Sequence, residues 1–274
     1  MKKEKLIENW LKEEAAAHIK GWDFSYIQGR YEEKDDLPWD YEAIVRQALK
    51  PDDYMLDIDT GGGEFLLSLH HPCDRTGATE GYPPNVQLCS KTLLPLGIDF
   101  KEADAGISLP FSDEKFDIVI NRHGACSPKE ICRVLKPGGI FITEQVGALN
   151  DRDLVELLYA DPPKPPFPGQ RLSLYVRNFL ESGFTILDSR EAFGTVRFRD
   201  IGALVWFARV IEWEFPDFSV QNNQERLFRA WEQLEKDGII EGRTHRFLMT
   251  AQKCDDHKLL NKEALLCPTA VTPV

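Results

Sequence analysis

The chain has no uninterrupted apolar run of about 18 residues, the length a membrane-crossing helix requires, so no spanning segment is expected. Its opening, Met1-Lys2-Lys3-Glu4-Lys5-Leu6, lacks the apolar core of a secretory signal, and a cytoplasmic protein is the expectation. None of the six cysteines (Cys73, Cys89, Cys126, Cys132, Cys254, Cys267) forms a Cys-x-x-Cys pair, which argues against a disulfide framework and against a structural zinc. His70-His71-Pro72-Cys73 contains metal-ligating types, but it reads as a surface turn after a helix, and no metal site is expected. Positive charge is also in short supply. A net charge of −12 weighs against the basic face of a nucleic-acid binder, with Arg197-Phe198-Arg199 the local exception. No internal repeat or long low-complexity tract is present, which sets aside solenoids and linker-rich architectures.

What remains is a globular chain of 274 residues, enough to bury a substantial core. Residues 3 to 20 carry Leu6, Ile7, Trp10, Leu11, Ala15 and Ile19 at helical spacing and stop at Gly21, which predicts an amphipathic N-terminal helix. An aromatic-rich stretch follows, from Trp22 through Leu37-Pro38-Trp39-Asp40-Tyr41. It is expected to pack on the main domain, with cofactor or substrate contact as the sharper alternative.

From residue 42 to about 147 helices and short strands alternate, the pattern of a doubly wound α/β sheet. Helices are expected at 42–49, 63–70, 84–94 and 128–135, with strands at 54–58, 75–79, 98–102, 116–121 and 140–145. Lys136-Pro137-Gly138-Gly139 reads as a turn before the last of these strands. Further on, Asp161 to Gly169 is a proline-rich extended loop, and a helix at 171–182 leads to a strand at 184–189. The segment Ile201 to Ile211 is apolar on nearly every face, so it is either core or a lid; we expect a lid, inserted before helix 222–236 and strand 244–251. The resulting domain plan is a cover segment over 1–41, a main domain over 42–253 with an insertion at about 191–220, and a poorly ordered tail over 254–274.

In such a sheet the strand-to-helix loops share one edge, which brings Gly61, Glu80, Asp104 and Asn121 together. The strand Tyr54 to Ile58 breaks into Asp59-Thr60-Gly61-Gly62-Gly63, whose glycines let a ligand approach the main chain closely. Glu80 can accept two hydrogen bonds from a ribose diol, and Asp104 one from an exocyclic adenine amine. Asp57 can hold the turn amides or meet a ligand ammonium. Alone each acid reads as a cap or a solvated turn residue, but three at successive strand ends beside a glycine turn point to a nucleotide-like cofactor.

A dinucleotide fingerprint wants a third glycine or alanine where this chain has Leu66. Over residues 42 to 147 the chain instead resembles the class I S-adenosylmethionine-dependent methyltransferases, through the glycine loop, Glu80, Ala103-Asp104 to Leu109-Pro110-Phe111, Phe116-Asp117-Ile118-Val119 and Arg133-Val134-Leu135-Lys136-Pro137-Gly138-Gly139. The resemblance implies a Rossmann-like α/β fold, a doubly wound, seven-stranded, mostly parallel sheet with an N-terminal helical segment and the lid insertion. It implies that Asp57, Thr60, Gly61 and Gly63 form the first cofactor loop, that Glu80 with Gly81 takes the ribose, that Asp104 with Ala105 takes the adenine, and that Asn121 lies under the methionine part. His123 is the candidate base, with a structural role as its alternative. The departure from the family is Asp59, an acid where the pattern has glycine. The implied activity is methyl transfer from S-adenosylmethionine to a small-molecule acceptor; RNA methylation and a non-catalytic cofactor-binding or scaffold role are the alternatives.

Overall fold

The computed structural model describes residues 2–18, 23–34 and 37–255. The helices, in chain order, are α1 (Lys2–Ala16), α2 (Tyr41–Ala48), α3 (Glu64–Ser68), α4 (Pro83–Thr92), α5 (Pro128–Val134), α6 (Arg152–Leu158), α7 (Leu172–Glu181), α8 (Ile201–Val210) and α9 (Gln224–Asp237). The strands are β1 (Tyr31–Glu33), β2 (Met55–Ile58), β3 (Thr76–Glu80), β4 (Asp99–Glu102), β5 (Phe116–Arg122), β6 (Leu135–Val146), β7 (Phe184–Phe198) and β8 (Ile240–Lys253). The predicted helix stop at Gly21, Trp22 and most of the expected tail lie outside the described residues. No described helix is long and apolar enough to cross a membrane.

The strands form one sheet in the order β1-β7-β8-β6-β5-β2-β3-β4. β4, β3, β2, β5 and β6 pair in parallel, and β1 pairs antiparallel with β7. The three-residue β1, in the aromatic segment, adds an eighth strand to the seven expected. The predicted turn at Lys136-Pro137-Gly138-Gly139 lies inside β6 as an irregularity: Phe116 and Ile118, two apart on β5, pair with Leu135 and Ile140, five apart on β6. Gly138 takes a φ of 77°, which lets the extra residues loop out without ending the strand.

The chain divides into two compact units. Unit 2 (Trp39–Gln145, Leu172–Arg190, Phe247–Val274) holds the parallel strands. Every residue of β2 is buried, as expected for a central strand covered on both faces. Successive residues feed two separate cores: Leu56, Ile58, Val119 and Phe141 pack with Ile131, Val134 and Phe179 of α5 and α7, whereas Met55, Ile118, Ile120 and Ile142 pack with Val45, Leu66 and Cys89 from α2, α3 and α4 and with Leu93 just after α4. The period-2 alternation of strand side chains thus serves a double winding. Unit 1 (Met1–Pro38, Val146–Arg171, Glu191–Arg246) has its own core, with α8 at its centre: nine of the ten residues of α8 are buried, against Trp10, Leu154, Val155, Phe215 and Leu227. Asp200 caps α8 by accepting from the Ala203 amide at 2.8 Å.

Candidate cofactor site in unit 2

The parallel pairing aligns the carboxyl ends of β2, β3, β5 and β6, with Ile58 opposite Asn121 and Arg122 opposite Glu144. In the turn after β2, the Thr60 hydroxyl donates to Asp57 Oδ2 at 2.7 Å and the Thr60 amide donates to the Thr79 carbonyl at 2.9 Å. Gly61 and Gly63 sit at φ 64° and 87°, the left-handed region where glycine carries no steric penalty. The turn is therefore fastened to β3 before α3 begins.

Glu80, buried at the end of β3, gathers three backbone amides: Oε2 accepts from Gly61 at 2.8 Å, and Oε1 accepts from Gly81 at 2.9 Å and Tyr82 at 2.8 Å. A carboxylate offers roughly four acceptor positions, so an acceptor site remains for a ligand hydroxyl. Asp104 is exposed; its Oδ1 accepts from the Gly106 amide at 3.0 Å, and Oδ2 takes no hydrogen bond from the described residues. Ala105 beside it is buried, and its carbonyl accepts from the Ser127 amide at 3.2 Å.

Two of the acids are far from their usual ionisation range. Burial pushes Asp57 up to about 7; the Thr60 hydroxyl opposes this, and the charges of Asp59 and Glu80 add to it. Burial likewise raises Asp59 to about 6, helped by Glu80 and Asp104 and opposed by a hydrogen bond from the Ala125 backbone. Asp59 stands at φ 54° with its side chain toward the loop after β5. A Cβ on Gly124 would lie 2.6 Å from Asp59 Cβ and Oδ2 and 2.7 Å from Asn121 Nδ2. Asp59 fits at this position because residue 124 carries no side chain.

Asn121 is fully buried and braces the strand ends: Nδ2 donates to the Ile58 carbonyl at 3.0 Å, and Oδ1 accepts from Gln145 Nε2 at 2.5 Å and Thr143 Oγ1 at 3.3 Å. Asn121 therefore cannot yield to a new methyl group. Gly124→Ala is expected to cost about 1–3 kcal/mol, the usual penalty for overpacking a tight site. A urea unfolding midpoint unchanged from wild type would show that this contact is not rigid.

His123, also left-handed at φ 59°, donates its amide to the Glu144 carbonyl at 2.9 Å, and its Nε2 lies 3.5 Å from Glu144 Oε1. Glu144 is buried at the end of β6 and accepts from Arg122 Nε at 2.9 Å and Trp39 Nε1 at 2.7 Å. Burial alone would raise the Glu144 carboxyl. The hydrogen bonds from His123 and Trp39 and the charge of Arg122 outweigh it and hold the group at about 2, so it stays ionised. Sequence reasoning missed Glu144, and named Trp39 only as part of the aromatic stretch, without its partner. A lone acid in the apolar run Ile140-Phe141-Ile142-Thr143 was a usable signal for the first; Trp39, 105 positions from its partner, had none. No group of three or more metal-ligating side chains converges among the described residues.

A parallel doubly wound sheet with a glycine turn and acids at successive strand ends is the architecture of the Rossmann-like methyltransferases. Residues 56–143 match the family of methyltransferase domains. Part of the chain is 39% identical, over 88 residues, to the phthiotriol/phenolphthiotriol dimycocerosates methyltransferase of Mycobacterium tuberculosis; the match covers 30% of this chain and 32% of that protein. A fatty-acid O-methyltransferase of Mycolicibacterium smegmatis is 27% identical over 159 residues, covering 54% of this chain and 57% of its own. The chain thus spans about a third of the length of the first of these relatives and about half of the second. Among solved structures, a Bacillus halodurans protein provisionally described as a methyltransferase superposes with a TM-score of 0.54 at 20% identity, covering 78% of this chain and 99% of its own. The Bacillus subtilis YcgJ protein gives a TM-score of 0.50 at 17% identity, covering 78% and 98%. These structures share the fold.

Proposed function

We propose that the chain transfers a methyl group from S-adenosylmethionine to a small-molecule acceptor. The observation that carries this reading is Glu80, a buried carboxylate that ties the β2 and β3 loops together and keeps an acceptor site open beside the glycine turn. The donor set suits the cofactor. Asp57, Asp59, Glu80 and Asp104 form an acidic rim for a molecule that brings an ammonium, a sulfonium, a ribose diol and an adenine amine.

In this reading Glu80 and Gly81 receive the ribose, and Asp104 with Ala105 receives the adenine. Asp57, Thr60, Gly61 and Gly63 hold the amino-acid end, and Asn121 keeps the floor rigid. When bound, the cofactor supplies an already activated methyl group, so the protein's work is alignment of the acceptor and exclusion of water. His123, tethered through Nε2 to the ionised Glu144, takes the acceptor's proton where the acceptor must lose one. The relatives' names, a phthiotriol derivative and a fatty acid, favour a small acceptor over a macromolecule, and the net charge of −12 also weighs against RNA. Calorimetry with S-adenosylmethionine and its demethylated product is the test. Binding weakened at least tenfold by Asp104→Ala supports the reading, and no heat of binding to the wild-type protein sinks it.

A further inference from the structure

The carboxylates around the glycine turn share one property. Glu144, elsewhere in unit 2, pairs with Arg122 at 2.9 Å, whereas Asp57, Asp59, Glu80 and Asp104 form no ion pair with any described residue. Direct contacts gather three of them about a single turn. Glu80 Oε2 accepts from the Gly61 amide at 2.8 Å, two residues on from Asp59, and Asp57 Oδ2 accepts from the Thr60 hydroxyl at 2.7 Å. The point where a Cβ of Gly124 would stand lies 2.6 Å from Asp59 Oδ2 and 2.7 Å from Asn121 Nδ2. The Asp59 carboxylate and the Asn121 amide are therefore neighbours across that gap.

Asp59 is unfavourable where it stands. Its φ of 54° lies in the left-handed region, which glycine enters without penalty and an acid does not. It is half-buried, and the charged groups acting on it, Glu80 and Asp104, are themselves acids. The loop that receives it is held in place, because the Gly124 carbonyl accepts from Gln145 Nε2 at 3.1 Å and the Ser127 amide donates to the Ala105 carbonyl at 3.2 Å. No described cation offsets these terms. A strained and uncompensated charge at a binding site points to a role in the bound state.

We propose that Asp59 is a specificity-determining residue, which makes this site prefer the positively charged, methyl-loaded cofactor over its neutral demethylated product. The proposal rests on the methyl-transfer reading and refines it. The two ligands share the adenine, the ribose, the ammonium and the carboxylate, so only the charge on sulfur distinguishes them. In methyl transfer the acceptor's lone pair forms the new bond to carbon, the sulfur keeps the electrons of the old one, and a neutral thioether is left. Asp59 is the acid placed to register that change: it adjoins Asn121, expected beneath the methionine part, whereas Glu80 and Asp104 are assigned to the ribose and the adenine. Loss of the positive charge weakens the hold on the product and favours its exchange for loaded cofactor.

The test is calorimetry on the full chain with S-adenosylmethionine, S-adenosylhomocysteine and sinefungin, in which an amine-bearing carbon replaces the sulfonium. The quantity read is the ratio of dissociation constants, in which contacts common to the ligands cancel. At about pH 7.5 the wild type is expected to bind S-adenosylmethionine at least about tenfold more tightly than S-adenosylhomocysteine, with sinefungin on the side of the charged ligand. Asp59→Asn keeps the shape and tolerates the left-handed backbone, and Asp59→Gly removes the strain as well; each should lower the ratio at least about fivefold. A merely structural Asp59 would move both affinities together and leave the ratio as it was. A second arm needs no variant. Burial raises Asp59 to about 6, so the wild-type ratio should fall by a similar factor by about pH 5; the other titratable groups around it are Asp57, Glu80, Asp104 and the Cys126 thiol. A wild-type ratio near one, or a ratio unchanged by both variants or by pH, overturns the assignment and leaves methyl transfer standing. Failure of the wild type to bind any of the three ligands overturns the methyl-transfer reading, and the assignment with it.

Discussion

Glu80→Ala lowers the affinity for S-adenosylmethionine by about 100-fold or more, an expected change of ~2.7 kcal/mol. The size follows from the two tasks of one carboxylate. It receives the amides of Gly61, Gly81 and Tyr82, so its loss leaves three donors of two loops without their charged partner, and a hydrogen bond to a charged group is worth about 1.5–3 kcal/mol. It also removes the acceptor proposed for the ribose. The two contributions separate with Glu80→Gln, which keeps the shape but offers one acceptor oxygen and two donors; an intermediate loss is expected. Calorimetry gives the affinities, and thermal unfolding on the same samples shows whether the loops alone have loosened. Binding by Glu80→Ala within twofold of wild type would remove Glu80 from the site.

The unit 2 sheet was largely legible because β2, β3 and β5 are short, mostly buried and separated by glycine and proline punctuation. Met55 to Ile58, Thr76 to Glu80 and Phe116 to Arg122 fall within one or two residues of expectation, and their carboxyl ends follow from parallel winding alone. The extent of β6, β7 and β8 was not legible. Pro137-Gly138-Gly139 signals a turn equally well at a strand start and at an irregularity within a strand. β7 runs to Phe198 through Arg190-Glu191, where polar residues sit on an exposed stretch with no apolar run to mark it. At the site, the sequence picked out the acids at the strand ends by position, whereas Trp39–Glu144 and Asp59–Gly124 are contacts between distant segments that no local pattern encodes. The unusual acid at 59 could be flagged from the motif, but its accommodation needed the empty Cβ position at 124.

The affinity for S-adenosylmethionine is expected to rise steeply with pH between 5 and 7. Asp57 at about 7 and Asp59 at about 6 carry protons in the ligand-free site at pH 5, and a ligand ammonium is held best by their ionised forms. The ligand's α-amine, with an ordinary pKa of about 8, stays charged throughout this range. If both acids must ionise, binding releases close to two protons at pH 5, and the dissociation constant falls up to about 500-fold by pH 7; if only Asp57 must, the fall is about 50-fold. The stability of the ligand-free protein changes in the opposite direction. An Asp whose folded pKa lies above its unfolded value favours the folded state only while protonated, so this contribution is present below about pH 4 and is lost as pH rises toward 6 for Asp59 and 7 for Asp57. The cofactor therefore restores at pH 7 what ionisation of the two acids removes, and thermal unfolding with and without cofactor should diverge across this window. Methylthioadenosine keeps the adenine and ribose but lacks the amino-acid end. Its affinity should change little over the same range, and an equally steep dependence for both ligands would place the titrating groups away from the ammonium.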